Sequence, residues 1–159
     1  MVAALKYKSS FNEGNQTEQE FIELRGENFV RRATRSEDMT QHWDVLDKVF
    51  GHVDVKAPKR KYRGGPIDYS IHWWEFKNVT GRIGWGSPNG IERFIAFRLE
   101  DRFILVNPDK VNPLLLEKCK SHYRGLWGLN TRPNREDLAA MIPVDFLIKH
   151  ADHVVEING

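Results

Sequence analysis

Asp44, Asp54 and Lys56 fall within residues 41–63, QHWDVLDKVFGHVDVKAPKRKYR, and their spacing predicts a place where chemistry could be done. Residues 42–46 and 52–56 read as strands on either side of a turn at Lys48-Val49-Phe50-Gly51. With a loop of the three residues 48–50, Asp44 lies directly opposite Asp54, and alternation puts Lys56 on the same face as Asp54. Like charges opposed across a strand pair repel. The pair therefore calls for a cation between its members, either a divalent metal ion or Lys56 itself. A turn of another length would slip the register and send Asp44 to solvent.

Glu20 closes the run Thr17-Glu18-Gln19-Glu20, which reads as a capping box with Thr17 as N-cap of the first helix. Its carboxylate either caps that helix only or also reaches toward the hairpin. Glu75 and Lys77 lie on a strand predicted over 71–79, sharing a face with Trp73 and leaving Trp74 and Phe76 on the other.

Basic residues are clustered rather than abundant. The formal net charge is +2, so the chain as a whole is no polycation. Five of the eight positions 56–63 are nevertheless Lys or Arg. Lys59, Arg60, Lys61 and Arg63 lead into Gly64-Gly65-Pro66, a loop suited to following a phosphate backbone, or simply to sitting in water. Arg82 belongs to the glycine-rich loop 80–90, where Trp85 is expected to plug the core rather than stack on a base. Arg124 and Arg132 accompany Trp127 in 123–135, a loop open to nucleic acid or to an equivalent subunit.

The elements needed to position these groups are those of one α/β (α+β) domain spanning residues 1–159, with 40% hydrophobic residues to build its core. The first helix should start at Thr17, after the turn-rich Asn12-Glu13-Gly14-Asn15, and bury Phe21 and Leu24. Residues 31–38 read as a polar connection. Strands 93–99 and 102–107 should form a hairpin at Glu100-Asp101, followed by a helix over 113–122 with Asn112 as N-cap and Pro113 first. A strand at 138–144, a helix at 145–150 and a strand at 153–157 complete the chain. A single cysteine, Cys119, rules out an internal disulfide framework and a cysteine-built zinc site, and suits the cytosol. No apolar run approaches the roughly 20 residues that span a bilayer, and MVAALKYKSS is too polar for a signal peptide, so no membrane is expected. The six histidines form no HExxH motif, and no phosphate-binding Gly-rich loop ending in Lys-Ser/Thr occurs.

Asp44 followed by Asp54-Val55-Lys56 resembles the D…(D/E)xK signature of the PD-(D/E)XK nuclease superfamily, and Glu20 resembles the extra helical acid of its Holliday-junction-resolvase-like branch. Taken together the layout is similar to small phage and mobile-element endonucleases. The resemblance implies a restriction-endonuclease-like core, a central mixed sheet flanked by helices. It implies a metal-dependent deoxyribonuclease in which Asp44, Asp54, Glu20 and the Val55 carbonyl hold Mg²⁺ or Mn²⁺ and Lys56 orients or deprotonates the attacking water. DNA would be the partner, possession of a homodimer or higher homo-oligomer would allow two strands to be cut, and the compartment would be the cytoplasm, including that of a phage-infected bacterial host. Two departures stand out. Trp43 precedes Asp44 where proline is common, and Asp54 with Glu75-Phe76-Lys77 offers a second D…ExK frame. The first frame is preferred because it puts both acids on one hairpin. Two other readings remain: a non-catalytic nucleic-acid-binding protein that keeps the nuclease fold, and an assembly protein whose aromatic loops bind protein.

Overall fold

The apolar/polar alternation around the two aspartates does produce a strand pair, and a short turn fixes how its members align. The computed structural model describes residues 2–121 and 125–158, as backbone alone up to residue 12. In chain order it contains α1 (Val2–Arg25), β1 (Phe29–Arg32), α2 (Arg35–Gln41), β2 (Val45–Asp47), β3 (Gly51–Lys56), β4 (Lys59–Arg60), β5 (Ile67–Asp68), β6 (Ile71–Lys77), β7 (Arg93–Arg98) and β8 (Arg102–Val106). Then come α3 (Pro108–Lys118), β9 (Lys120–Ser121), β10 (Gly128–Asn130), β11 (Leu138–Pro143), α4 (Val144–Lys149) and β12 (His153–Glu156). The class is mixed α/β. Two compact units are formed, the first from Met1–Ala57, Glu92–Leu105 and His153–Gly159, the second from Pro58–Ile91 and Val106–Asp152.

The first unit is built on a six-stranded sheet in the order β1-β2-β3-β7-β8-β12. β1, β2 and β3 run antiparallel in sequence, β3 and β7 are parallel, and β12 returns antiparallel to β8. Phe21 of α1 is fully buried against Val45, Val53, Val55, Ala96, Phe103, Leu105 and Val155. Truncating such a side chain to alanine costs about 3–5 kcal/mol.

The β2–β3 register is the expected one: Val45 pairs with Val53, Leu46 with His52 and Asp47 with Gly51. Asp47 sets it. Its Oδ1 accepts the N–H groups of Val49 at 2.8 Å and Phe50 at 3.0 Å, and Gly51 supplies the φ of 74° that ends the turn. Arg25, from the last turn of α1, donates Nε to Asp47 Oδ2 at 2.7 Å and covers the Phe50 ring at 4.3 Å.

Several boundaries differ from expectation, each for a local reason. Thr17 does not cap a helix, because α1 already runs from Val2; the Thr17 hydroxyl instead donates to the Glu13 carbonyl at 2.8 Å, one turn back. The capping box is the next Thr-x-x-Glu, Thr34 with Glu37, which starts α2 inside the stretch expected to be a plain connection. α2 ends at His42 in the left-handed conformation, so His42 is a helix cap rather than a strand residue. α3 starts at Pro108, capped by Asn107, whose side chain accepts from Asp109 N–H at 2.9 Å. Asn112 lies inside that helix, buried, accepting from Trp74 Nε1 at 3.0 Å, and Cys119 follows the helix rather than lying on it.

The second unit holds the sheet β6-β11-β10-β9 and the separate hairpin β4-β5. Within β6, His72, Trp74 and Phe76 are buried while Trp73 and Lys77 are exposed, as alternation requires. Trp85 packs on Trp74 with centroids 5.5 Å apart, the expected plug.

Asp47 is 2% exposed. Burial alone would raise its carboxyl, but the Arg25 guanidinium and the Phe50 and Val49 N–H groups hold it below the ordinary value. Its stabilisation is complete above the unfolded value of about 3.9 and is lost as pH falls through the lower folded value. Asp47→Ala should cost on the order of 3 kcal/mol in urea unfolding, since it strands Arg25 and two N–H donors. Asp47→Asn, which keeps one acceptor oxygen, should cost less and should flatten stability against pH below about 4. Unfolding curves that superimpose for wild type and Asp47→Ala would refute this role.

Candidate active site: a carboxylate and a lysine on an interior strand with a second carboxylate beside them

β3 lies inside the sheet, between β2 and β7. Val53 and Val55 face the core, so Asp54 between them points to the other side, where it is 3% exposed. Lys56 shares that side, with Nζ 3.3 Å from Asp54 Oδ1. Asp44 stands immediately before β2. Its N–H donates to the Val53 carbonyl at 2.8 Å, and its Oδ2 accepts the Val55 N–H at 2.7 Å, which brings its carboxyl beside Asp54. The structure thus brings Asp44, Asp54 and Lys56 together.

The pair is under electrostatic tension. Burial first, then the Asp54 charge and then Glu18, push the Asp44 carboxyl far above the usual carboxylate range, against the pull of Lys56. A proton on Asp44 lets two buried acids sit side by side. Asp54 Oδ2 is buried and accepts from no backbone N–H or cationic side chain, so apart from the Asp44 proton it is open to a cation in a place where an unmet acceptor is costly. Glu18 is also raised, by burial above all, although Arg32 at 3.3 Å opposes this; Asp38 and Asp54 add to the rise. Glu18, Arg32, Thr34, Arg35, Asp38 and Asp44 line a cleft of about 630 Å³, so the acid cluster borders an open concavity.

Glu18, not Glu20, is the acid of α1 that senses the pair. Glu20 instead forms an ion pair with Arg98, Nε to Oε1 at 2.6 Å, within the first unit. One signal could have distinguished them: Glu18 precedes the buried Phe21 by three positions and so shares its helix face, whereas Glu20 does not.

The remaining predicted residues lie in the second unit. Glu75 accepts the Trp85 N–H at 3.2 Å, and Lys77, at the end of β6, bridges to Ile83. Lys59 and Arg60 form β4, and Arg60 donates to the Gly65 carbonyl at 2.6 Å, closing the hairpin on which Lys61 and Arg63 are exposed. Arg82 is exposed on its loop, its N–H bound to Asn78 Oδ1 at 3.0 Å. Arg132 pairs with Asp137 at 2.7 Å. Arg124 lies outside the described residues.

Among the described residues no group of three or more His, Cys, Asp or Glu is arranged to hold a metal ion. Two facing carboxylates with one open oxygen are still a fit for a hard divalent cation, which Mg²⁺ sites commonly make with one or two carboxylates and several waters. Among the same residues no helix is long and apolar enough to cross a membrane. Comparison with known proteins finds no matching family model, curated protein or solved structure.

A carboxyl raised on folding binds more protons in the native than in the unfolded state, so its contribution erodes as pH rises above about 4. Asp44→Asn keeps an oxygen for the Val55 N–H and is neutral without taking up a proton on folding. It should raise metal-free stability at neutral pH by at least about 1.4 kcal/mol, the equivalent of one pKa unit. Thermal melts of the two proteins from pH 4 to 8 check this, and a destabilised Asp44→Asn at neutral pH would contradict it.

Proposed function

We propose that the first unit hydrolyses phosphodiester bonds in DNA with the help of a divalent metal ion, as the PD-(D/E)XK resemblance implies. The observation that carries this reading is the buried Asp54, with Lys56 on one oxygen, Asp44 alongside and its second oxygen open. Asp44 and Asp54 would hold Mg²⁺ or Mn²⁺, with Glu18 the nearest further carboxylate in place of Glu20. Such an ion, when bound, supplies charge neutralisation and a water made acidic enough to attack near neutral pH.

This chain's own residues have separate tasks. Asp44 would give up its proton if a cation took over the neutralisation of the pair, which would link cation binding to proton release. Lys56, held by Asp54, is placed to orient the attacking water and to balance negative charge that grows on the phosphate oxygens. Arg32 and Arg35, on the cleft wall, supply positive charge for a phosphate backbone, and Arg32 is fixed there by Glu18 and by Gln19 at 2.8 Å. The restriction-endonuclease-like core belongs to this proposal; the mixed sheet carrying a parallel β3–β7 pair is what supports it.

DNA binding without turnover is the second reading, and the exposed basic hairpin around Lys61 and Arg63 favours it, since such a surface needs no chemistry to hold phosphates. Incubation of linear, single-stranded and four-way DNA with Mg²⁺ or Mn²⁺ separates the two. Wild type should cleave at least one substrate, and Asp54→Ala and Lys56→Ala should lose about 10²-fold or more of that rate. Independently of activity, Mn²⁺ should raise the melting temperature of wild type and not that of Asp54→Ala. Cleavage by Asp54→Ala at the wild-type rate would eliminate the proposal; DNA binding with no cleavage and no Mn²⁺ effect would select the second reading.

A further inference from the structure

The second unit holds a cavity of about 230 Å³ lined by Lys118, Lys120, Leu126 and Trp127. The acid pair of the first unit makes no use of it. Trp127 has φ +68°, a conformation that bulky L-residues avoid and glycine adopts freely. The backbone requires it: the Trp127 N–H donates to Met141 at 2.8 Å, and its carbonyl accepts from Lys120 N–H at 2.9 Å. Glycine would satisfy both bonds without strain, and glycines already stand at 125 and 128. A tryptophan kept in that position implies a task for the indole itself.

The surroundings indicate which task. The indole meets the Phe146 ring edge-on, centroids 5.2 Å apart, and is half-buried, leaving part of it open to the cavity. Lys118 Nζ stands 5.2 Å from the Trp127 ring centroid and 5.5 Å from that of Phe146. Lys120 adds a second exposed ammonium to the lining. His150, tilted at 50° against Phe146 with centroids 4.5 Å apart, has its pKa lowered by burial and then by Lys149, Lys110 and Lys118 against Asp152.

An indole with one ammonium over its ring and a second lining the same cavity is complementary to an aromatic ring that carries an anionic group. The cavity is smaller than the roughly 300–1,000 Å³ of pockets for drug-sized ligands, so it takes a single ring system. We infer that this pocket binds an unpaired nucleobase together with its adjacent phosphate, as offered by a mononucleotide or by single-stranded nucleic acid. The base lies against Trp127 and Leu126, and the phosphate meets Lys118 and Lys120. This binding is independent of the proposed hydrolysis and needs no metal ion.

Anisotropy titration of labelled oligo(dT) in EDTA tests it. Trp127→Gly keeps the positive φ while removing the platform; it should fold as wild type by circular dichroism and bind about tenfold or more weakly. The double variant Lys118→Ala, Lys120→Ala alters exposed positions only and reads the same pocket should Trp127→Gly lose its fold. It should bind more weakly, with a shallower dependence on salt. Displacement by dTMP at concentrations comparable to oligo(dT) identifies the mononucleotide as the source, and displacement by longer strands alone identifies single-stranded nucleic acid; either supports the pocket. No binding by wild type, preference for duplex over single strand, or unchanged affinity in both variants overturns it. Because EDTA removes metal-dependent cleavage, failure here leaves hydrolysis at Asp54 intact, and inactive Asp54 leaves this pocket intact.

Discussion

The alignment of β2 with β3 is decided at a turn of three residues by one carboxylate. Asp47 gathers the Val49 and Phe50 N–H groups on one oxygen and the Arg25 guanidinium on the other. That joins the end of α1 to the hairpin and leaves the turn a single length. A slip of one residue would reverse every side chain of β3, exposing Val53 and Val55 and sending Asp54 and Lys56 into the apolar core with Phe21. The hydrophobic core and the acid pair thus depend on the same register, and the register depends on a residue that belongs to neither.

With the register fixed, the acids cannot avoid each other. Asp44 is anchored twice, through its own N–H on Val53 and through Oδ2 on the Val55 N–H, so it cannot swing out to water without giving up a buried backbone partner. Asp54, on an interior strand, has even less freedom. The strain is relieved in part by Lys56 and by a proton on Asp44, and one oxygen of Asp54 is left open. Positions held in unfavourable states by surroundings that over-determine them are where function concentrates.

Much of this was legible because strands of period two carry their own faces. The β2–β3 register at residues 45–47 and 51–53, the faces of β6, the β7–β8 hairpin and the β11-α4-β12 ending follow from alternation and turn residues, whereas Asp44, expected within the first strand, stands just before it. Capping was read less well, since a Thr-x-x-Glu or an Asn-Pro pair marks a helix start only where the preceding chain is not helical. Thr17 has helix before it and Thr34 has extended backbone, with ψ of 163°. Asn107-Pro108 and Asn112-Pro113 pose the same choice five residues apart, and the buried Trp74 that claims the Asn112 side chain is far away in sequence. Because α1 begins well before Thr17, Glu20 is not a capping acid and Glu18 is the one that faces the pair. Long-range partners such as Arg98 for Glu20 leave no trace in local sequence.

One of the two insertions that make up the second unit has a topological origin in the same strand. β3 and β7 are parallel neighbours, so the chain must leave at the end of β3 and return to the start of β7 by a crossover. Residues 58–91, a part of the second unit, supply that crossover. Closing a longer connection adds only about 0.6 kcal/mol for each doubling of its length, so a structured insertion is tolerated where a short helix would suffice. The exit point follows Lys56 directly, at the carboxyl end of an interior strand. In open α/β sheets such ends are where ligands approach, because loops there can be elaborated without disturbing the ladder beneath. Asp54 and Lys56 therefore occupy the last positions of the strand before the crossover, paired with Ile95 and Phe97 of β7. A site built there inherits its geometry from the sheet.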